Sequence, residues 1–209
     1  PAKPVCWLGR PAEARWPSGD ETDPNPFVRF RHLLWSHRHA IETGMDDRGF
    51  VDLVHRLDDS VASVDGGGFR HTPLLHLGDL GTGMGHTGGL FGKDETGNVS
   101  GSHKARHLFG LALHLEVDGV PSTTPLAIAS CGNAALAAAT VARAAGRPLA
   151  VHVPTWADEG VLGRLEDLGA DVRVCGRRSG EAGDPCIHRF REMVADGAVP
   201  FCCQGTENL

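Results

Sequence analysis

The run LAIASCGNAALAAATVARAAGRPLAVHVP, residues 126–154, decides the fold. Leu126 to Ala129 is short and wholly apolar, the pattern of a strand buried on both faces of a parallel sheet. It breaks at Ser130-Cys131-Gly132. An alanine-rich helical stretch then runs from Asn133 to about Ala145, stopped by Gly146 and Pro148. A second apolar run, Leu149 to Val153, follows at once. Strand, tight turn, helix and strand in so short a span predict a right-handed βαβ unit.

The alternation continues toward the carboxyl end. Helical spacing is predicted over Asp158 to Leu168, ended by Gly169, and over Pro185 to Ala195. Apolar runs at Val172 to Cys175 and Val199 to Cys202 add two more strands. The predicted class is therefore α/β, a parallel sheet with helices on both faces. Toward the amino end, Ser102 to about Val117 is helical, with Leu108, Leu111, Ala112 and Leu115 on its apolar face. Before it come the strand-like LFGKDE (90–95), a glycine-rich stretch expected to be a flexible loop (78–89) and the short apolar FRHTPLLHL (69–77).

Phe27, Phe30, Leu33, Leu34 and Ile41 recur at helical spacing, and a second helix is predicted from about Phe50 to Val64. The run Asp65-Gly66-Gly67-Gly68 ends it. Residues 1–26 read as an arm without its own core. The expected division is an N-terminal arm and helical extension over 1–68 and an α/β domain over 69–209.

Composition removes several classes. The 209 residues are 41% hydrophobic and 22% charged, with a formal net charge of -6, which does not suit a general nucleic-acid binder. No apolar run approaches the ~18 residues of a membrane helix. Six cysteines (Cys6, Cys131, Cys175, Cys186, Cys202 and Cys203) show neither CxxC pairs nor small-domain disulfide spacing. Reduced thiols in a cytoplasmic protein are the expectation. Twelve histidines include the i, i+4 pair His103 and His107, but no zinc motif is present, so no metal is expected. Gly83-Met84-Gly85-His86-Thr87-Gly88 matches a dinucleotide fingerprint, yet it leads into a strand-like segment instead of a helix, the wrong context.

Two segments carry chemistry. In GNVSGSHKARH (97–107), glycine and serine lead into a helix with Lys104 in its first turn. The partial positive charge of a helix start weighs against a second positive charge there, a setting that suits an amine meant for Schiff-base chemistry. A solvated lysine at a helix start is the plainer alternative. In the second segment, the Ser130 to Asn133 turn lies at the carboxyl end of a strand and opens a helix. Ligands of open parallel sheets bind there, and free backbone N–H groups would take a carboxylate, with Ser130 and Asn133 as added donors. Ordinary N-capping by Ser130 or Asn133 is the alternative.

TPLLHL, then KDETGNVSGSHKARH, then SCGNAALAAA, in that order, resembles the fold-type-II family of pyridoxal 5'-phosphate (PLP) enzymes. Threonine synthase, serine/threonine dehydratases, cysteine synthase and tryptophan synthase β belong to it. The likeness covers roughly Phe69 to the carboxyl end. It implies that Lys104 holds PLP as a Schiff base, with His103 beside it and Asn133 on the cofactor's phenolic oxygen. It implies also that Ser130, Cys131, Gly132 and Asn133 receive the substrate carboxylate. Lys104-Ala105-Arg106 is similar to threonine synthases and dehydratases, His103 to tryptophan synthase β. Cys131 departs from the usual small or hydroxyl residue.

The implied reaction is that of a PLP-dependent lyase or synthase. Cα deprotonation of a small amino acid by Lys104 is followed by β- or γ-elimination or replacement, as in an ammonia-lyase or threonine synthase. The implied partners are that small amino-acid substrate and, in the full-length form, a second copy in a homodimer. Neither nucleic acid nor membrane is implied. The family's phosphate-binding glycine loop has no counterpart after Asn133, and Gly66-Gly67-Gly68 precedes Lys104. The expectation is a chain truncated at the C-terminus, binding PLP poorly alone. The rival reading is a non-catalytic α/β module, or an inactive fragment, lacking the cofactor phosphate site.

Overall fold

The computed structural model describes residues 15–19, 21–204 and 207. Cys6 and most of the N-terminal arm lie outside them. Three α-helices come first, α1 (Pro26–Arg29), α2 (Trp35–Glu42) and α3 (Asp47–Asp65). Strand β1 (Leu74–His76), the short helix α4 (Gly78–Gly83) and strand β2 (Phe91–Lys93) follow. The rest alternates: α5 (Lys104–Val117), β3 (Leu126–Ala129), α6 (Asn133–Ala144), β4 (Leu149–Pro154), α7 (Glu159–Asp167), β5 (Asp171–Cys175), α8 (Pro185–Ala195) and β6 (Val199–Pro200).

The strand order of the main sheet is β5-β4-β3-β6, and every pairing is parallel. The chain steps outward from β3 through β4 to β5 by way of α6 and α7. It then returns through α8 to the far side of β3. Right-handed crossovers in opposite directions place α6 and α7 on one face and α8 on the other. The α/β class with both faces covered is the one the sequence predicts. β3 is buried along its whole length, whereas β5 at the edge exposes Asp171 and Arg173, charges that discourage further pairing. β1 and β2 form a separate antiparallel pair, Leu75 opposite Gly92.

Helix α6 is the hub. Its buried residues are mostly alanines (Ala135, Ala137, Ala138, Ala139 and Ala142), and small side chains let α5, α3 and the sheet all approach it. Beyond it, α5 carries buried residues on most of its circumference, with α2 on another side. Arg147, 5% exposed, follows α6 and ties the layers. Its guanidinium donates to the carbonyls of Val120 and Pro121 and pairs with Glu116 of α5 at 2.9 Å.

Three elements differ from the sequence expectation, two in the N-terminal half and one near the carboxyl end. The helical pattern from Phe27 to Ile41 is not continuous. Phe30 and Leu34 leave helical geometry, and a single 3-10 turn, Arg31–Leu33, joins α1 to α2. The break has partners: Arg31 turns to Asp47 at 2.7 Å, while Trp35 stacks on His39 and meets His114 edge-on. The stretch 78–89 is not all loop, since α4 occupies its first half. Strand β6 ends at Pro200, two residues early, although the Phe201 N–H still donates to the Ala127 carbonyl at 2.8 Å.

The extension packs into the same core as the sheet. Phe27 of α1, Phe69 and Phe109 of α5 form a closed trio, with ring centroids 4.6 to 5.2 Å apart. Asp46 caps α3 by accepting from the Gly49 N–H, and Gly66 ends it at φ 87°. Gly68 has a separate reason to be glycine: a Cβ there would lie 2.6 Å from the buried Asp58 carboxylate. That carboxylate accepts from the Phe69 N–H and from Arg70, joining α3 to the segment that begins the α/β unit.

Truncating the trio tests this packing. Phe109→Ala should cost about 3–5 kcal/mol in urea unfolding. Phe91→Ala, on a ring 58% exposed, should stay within about 0.5 kcal/mol. Equal costs would contradict a shared core.

Candidate active site

The loop before α5 is built to hold one conformation. Asn98 is buried and its Nδ2 donates to the Ser102 carbonyl at 2.7 Å, closing the loop on itself. Gly101 has φ 67°, and Ser100, at φ 53°, is the one non-glycine residue with positive φ among the described residues. Such a conformation persists only where neighbours over-determine it. Here Asp65, the last residue of α3, accepts from the Ser100 N–H at 3.0 Å. The buried Ser102 hydroxyl oxygen accepts the Lys104 N–H at 3.4 Å. Lys104 therefore starts α5 in a fixed frame, partly exposed, with His103 exposed before it.

Arg106 serves that frame. Its Nε pairs with Glu95 at 2.8 Å, and its Nη2 donates to both the Arg70 carbonyl and Thr72 Oγ1. Thr72 donates in turn to Glu95. The threonine of TPLLHL, the glutamate of KDET and the arginine of SHKAR are thus one network. Burial would raise the Glu95 carboxyl, but the Arg106 and Thr72 hydrogen bonds outweigh it and hold it below the ordinary glutamate range.

Lys104 lies at the carboxyl end of β6. Burial pushes the Cys203 thiol up, and the positive charge of Lys104 nearby partly opposes that. One turn further along α5, His107 is kept neutral chiefly by its burial and hydrogen-bonds the backbone at Cys202. In the β3–β6 register Leu126 faces Val199 and Ala127 faces Pro200. β3 and β6 run parallel, so Lys104, close to Cys203 just past β6, and the turn that follows β3 lie toward the same end of the sheet, the end at which open α/β sheets bind ligands.

At that turn Gly132 occupies the N-cap of α6, with no side-chain cap. Neither Ser130 nor Asn133 caps the helix, so the plainer alternative for them fails. The Ala135 N–H closes back on the Gly132 carbonyl, which leaves the earlier N–H groups of the first turn without a side-chain acceptor. Asn133 is exposed, while Ser130, Cys131 and Gly132 are half-buried. Ser130 and Cys131 also line a cavity of about 510 Å³ with His152, Trp156, Cys175 and Cys186, whose lining includes neither Lys104 nor Asn133. His152 is buried and held neutral by that burial. Burial likewise raises Cys175, and it pushes Cys186 up to about 12. Cys175 and Cys186 thus stay protonated thiols and His152 a neutral imidazole.

The chain belongs to the pyridoxal-phosphate dependent enzyme family, whose model matches residues 67–208. Among solved structures it is similar to a hydrogen sulfide-producing enzyme from Fusobacterium nucleatum, at 19% identity and TM-score 0.53, covering 68% of this chain and 44% of that one. It is similar also to a pyridoxal 5'-phosphate-dependent aspartate racemase, at 19% identity and TM-score 0.55, covering 74% and 46%. Maize serine racemase matches at 18% identity and TM-score 0.51, covering 72% and 43%. The chain thus spans less than half the length of these proteins. No curated protein matches by sequence.

The cofactor of this family is PLP, and the residues present fit its reactive end. Lys104 supplies a partly exposed primary amine, and α6 offers a helix N-terminus with no side-chain cap. Three of the described glycines after Asn133 have structural roles. Gly146, Gly169 and Gly197, all at positive φ, follow the ends of α6, α7 and α8, and so do not form a phosphate-binding loop.

Sequence reasoning weighed His107 only as a metal partner of His103 and Asp65 only as a helix end, and gave neither of them, nor Ser100, a role in the site. The i, i+3 spacing of Lys104 and His107 was a signal for the first. No local pattern marks the Asp65–Ser100 contact, whose partners are 35 residues apart.

Removing the network's charge tests its role. Glu95→Gln should destabilise the chain by about 1 kcal/mol near neutral pH. Because the folded carboxyl is depressed, its contribution is present above the unfolded value of 4.5 and is lost as pH falls through the folded value. Melting curves of both proteins should converge in acid. A gap that does not narrow would contradict the pairing.

Proposed function

We propose that this chain carries the lysine and the carboxylate-binding turn of a PLP-dependent lyase or synthase. The substrate is a small amino acid. Its Cα proton is removed, and a β- or γ-substituent is then lost or replaced, as in ammonia-lyases or threonine synthases. What supports the reading is that Lys104 lies close to Cys203, just past β6, while the α6 N-terminus that follows the neighbouring parallel strand β3 has no side-chain cap.

Bound PLP supplies an electron sink for negative charge developing at Cα. The chain's own residues do the rest. The Lys104 Nζ anchors the cofactor and, once released, moves the proton at the substrate Cα as general base. The N–H groups of the first turn of α6 take the α-carboxylate, favoured by the helix's partial positive charge. Ser130 and Asn133 add side-chain donors, and Cys131 and Gly132 shape the turn. His103 stands beside the lysine, exposed to solvent and to a ligand alike. Arg106 does not touch substrate in this scheme; through Glu95 and Thr72 it keeps the first turn of α5 in place. The preference for elimination or replacement rests on the likeness of SGSHKAR and SCGN to lyases and synthases, since the fold is shared with enzymes named as racemases.

Borohydride trapping tests the reading. With saturating PLP, the parent should show a reducible absorption band and one pyridoxyl-lysine peptide containing Lys104. Lys104→Ala should show neither, with unchanged far-UV circular dichroism. Labelling of another lysine, or of none, would overturn it.

A further inference from the structure

The helical extension holds a second cluster that the PLP chemistry does not use. His32 sits on the 3-10 turn after α1, His37 on α2 and Asp47 at the start of α3, and one ligand atom from each lies within 4.8 Å of the others. All three precede residue 67, where the family match begins, so the family's chemistry does not account for them.

We propose that His32, His37 and Asp47 bind one zinc ion, which pins the turn, α2 and α3 together. Two imidazoles and a carboxylate form a borderline-soft donor set, suited to zinc and unlike the all-oxygen cages of magnesium or calcium. Tetrahedral zinc sets its ligand atoms about 3.3 Å apart. His37 Nε2 and Asp47 Oδ1 are already 2.9 Å apart, and the rings of His32 and His37 meet edge to face at a centroid distance of 4.9 Å. Side-chain shifts of about 1 Å complete the geometry. Glu21 Oε1, 3.4 Å from His32 Nε2, stands ready as a fourth donor.

Arg31 is the opposing charge. It contacts both oxygens of Asp47 and lies 3.6 Å from Glu21. A carboxylate offers about four lone-pair positions. Asp47 therefore keeps one for the metal, now spent on His37, while Arg31 stays anchored on the Val28 carbonyl. The carboxylates of Glu21, Asp23 and Asp47 against the guanidiniums of Arg31 and Arg15 leave a net charge of one negative, which favours a dication. The ligands come from three separate elements and match no sequence motif, which is why spacing alone does not reveal them.

Zinc titration into the metal-free chain, followed by calorimetry and melting curves, tests the proposal. Expected are one equivalent bound and a higher melting temperature, reversed by EDTA. His32→Gln, read only if its circular dichroism matches the parent since the side chain is 18% exposed, should weaken binding by about 100-fold, at the upper end of what even outer partners of a metal site contribute. His37→Gln provides the second ligand variant, read only if its circular dichroism matches the parent. Cobalt as a probe should give visible d–d bands without the strong near-ultraviolet charge transfer of thiolate ligands. Unchanged affinity in His32→Gln, or a cobalt spectrum dominated by thiolate charge transfer, would overturn the site. So would the absence of uptake by the parent.

Discussion

The return of the chain to the far side of β3 is the constraint on which the rest depends. Three strands laid down in one direction would give a sheet with all its connections on one face. The return through α8 puts β6 beside β3, with the Phe201 N–H on the Ala127 carbonyl as the outermost tie. That reversal covers the second face, buries β3 completely and opens a crevice at the carboxyl ends of β3 and β6. Lys104 and the Ser130 to Asn133 turn lie toward this end of the sheet, whereas His152, Cys175 and Cys186 line the cavity beside β4 and β5. The start of α5 is held to Cys202 by His107.

The N-terminal helices are part of this arrangement. α3 packs on α6 and ends at Asp65, whose carboxylate holds Ser100 in its left-handed conformation four residues before Lys104. Asp58 on the same helix fixes the chain at Phe69, from which Thr72 joins the Glu95–Arg106 pair. The lysine is thus supported from behind by one helix and from the side by one ionic network. Both schemes join residues distant in sequence, and each fixes the backbone or first turn beside Lys104, the kind of support a preorganised site needs. A zinc ion at His32, His37 and Asp47 would stiffen the same helices at their other end.

Much of this is legible in the residues. Period-2 and period-3.6 patterns, with glycine stops at Gly146 and Gly169, place α6, α7 and α8 almost to the residue. Apolar runs of four or five residues place β3, β4 and β5. The region before Lys104 is less legible for a physical reason. From Phe27 to Leu34 a helical pattern is overridden by long-range pairs, Arg31 to Asp47 and Trp35 to His114, that no local window contains. The candidate site divides in the same way. Lys104 and the Ser130 to Asn133 turn are visible because each sits at an element boundary with its own sequence signature. Their place toward one end of the sheet is invisible until the strand order is known, because it depends on β6 landing beside β3. The alternative of ordinary capping at Ser130 or Asn133 could be decided only by geometry, which puts Gly132 at the cap.

The measurement that tests the central claim most directly is a distance, independent of any cofactor. Lys104→Cys, treated with a short bifunctional thiol reagent and mapped by mass spectrometry, should link residue 104 to Cys203 at the end of β6 and not to Cys175 at the end of β5. Links to Cys175, or no link to Cys203 in a folded protein, would mean that the lysine does not face the strand reversal, and the account of the site would fail.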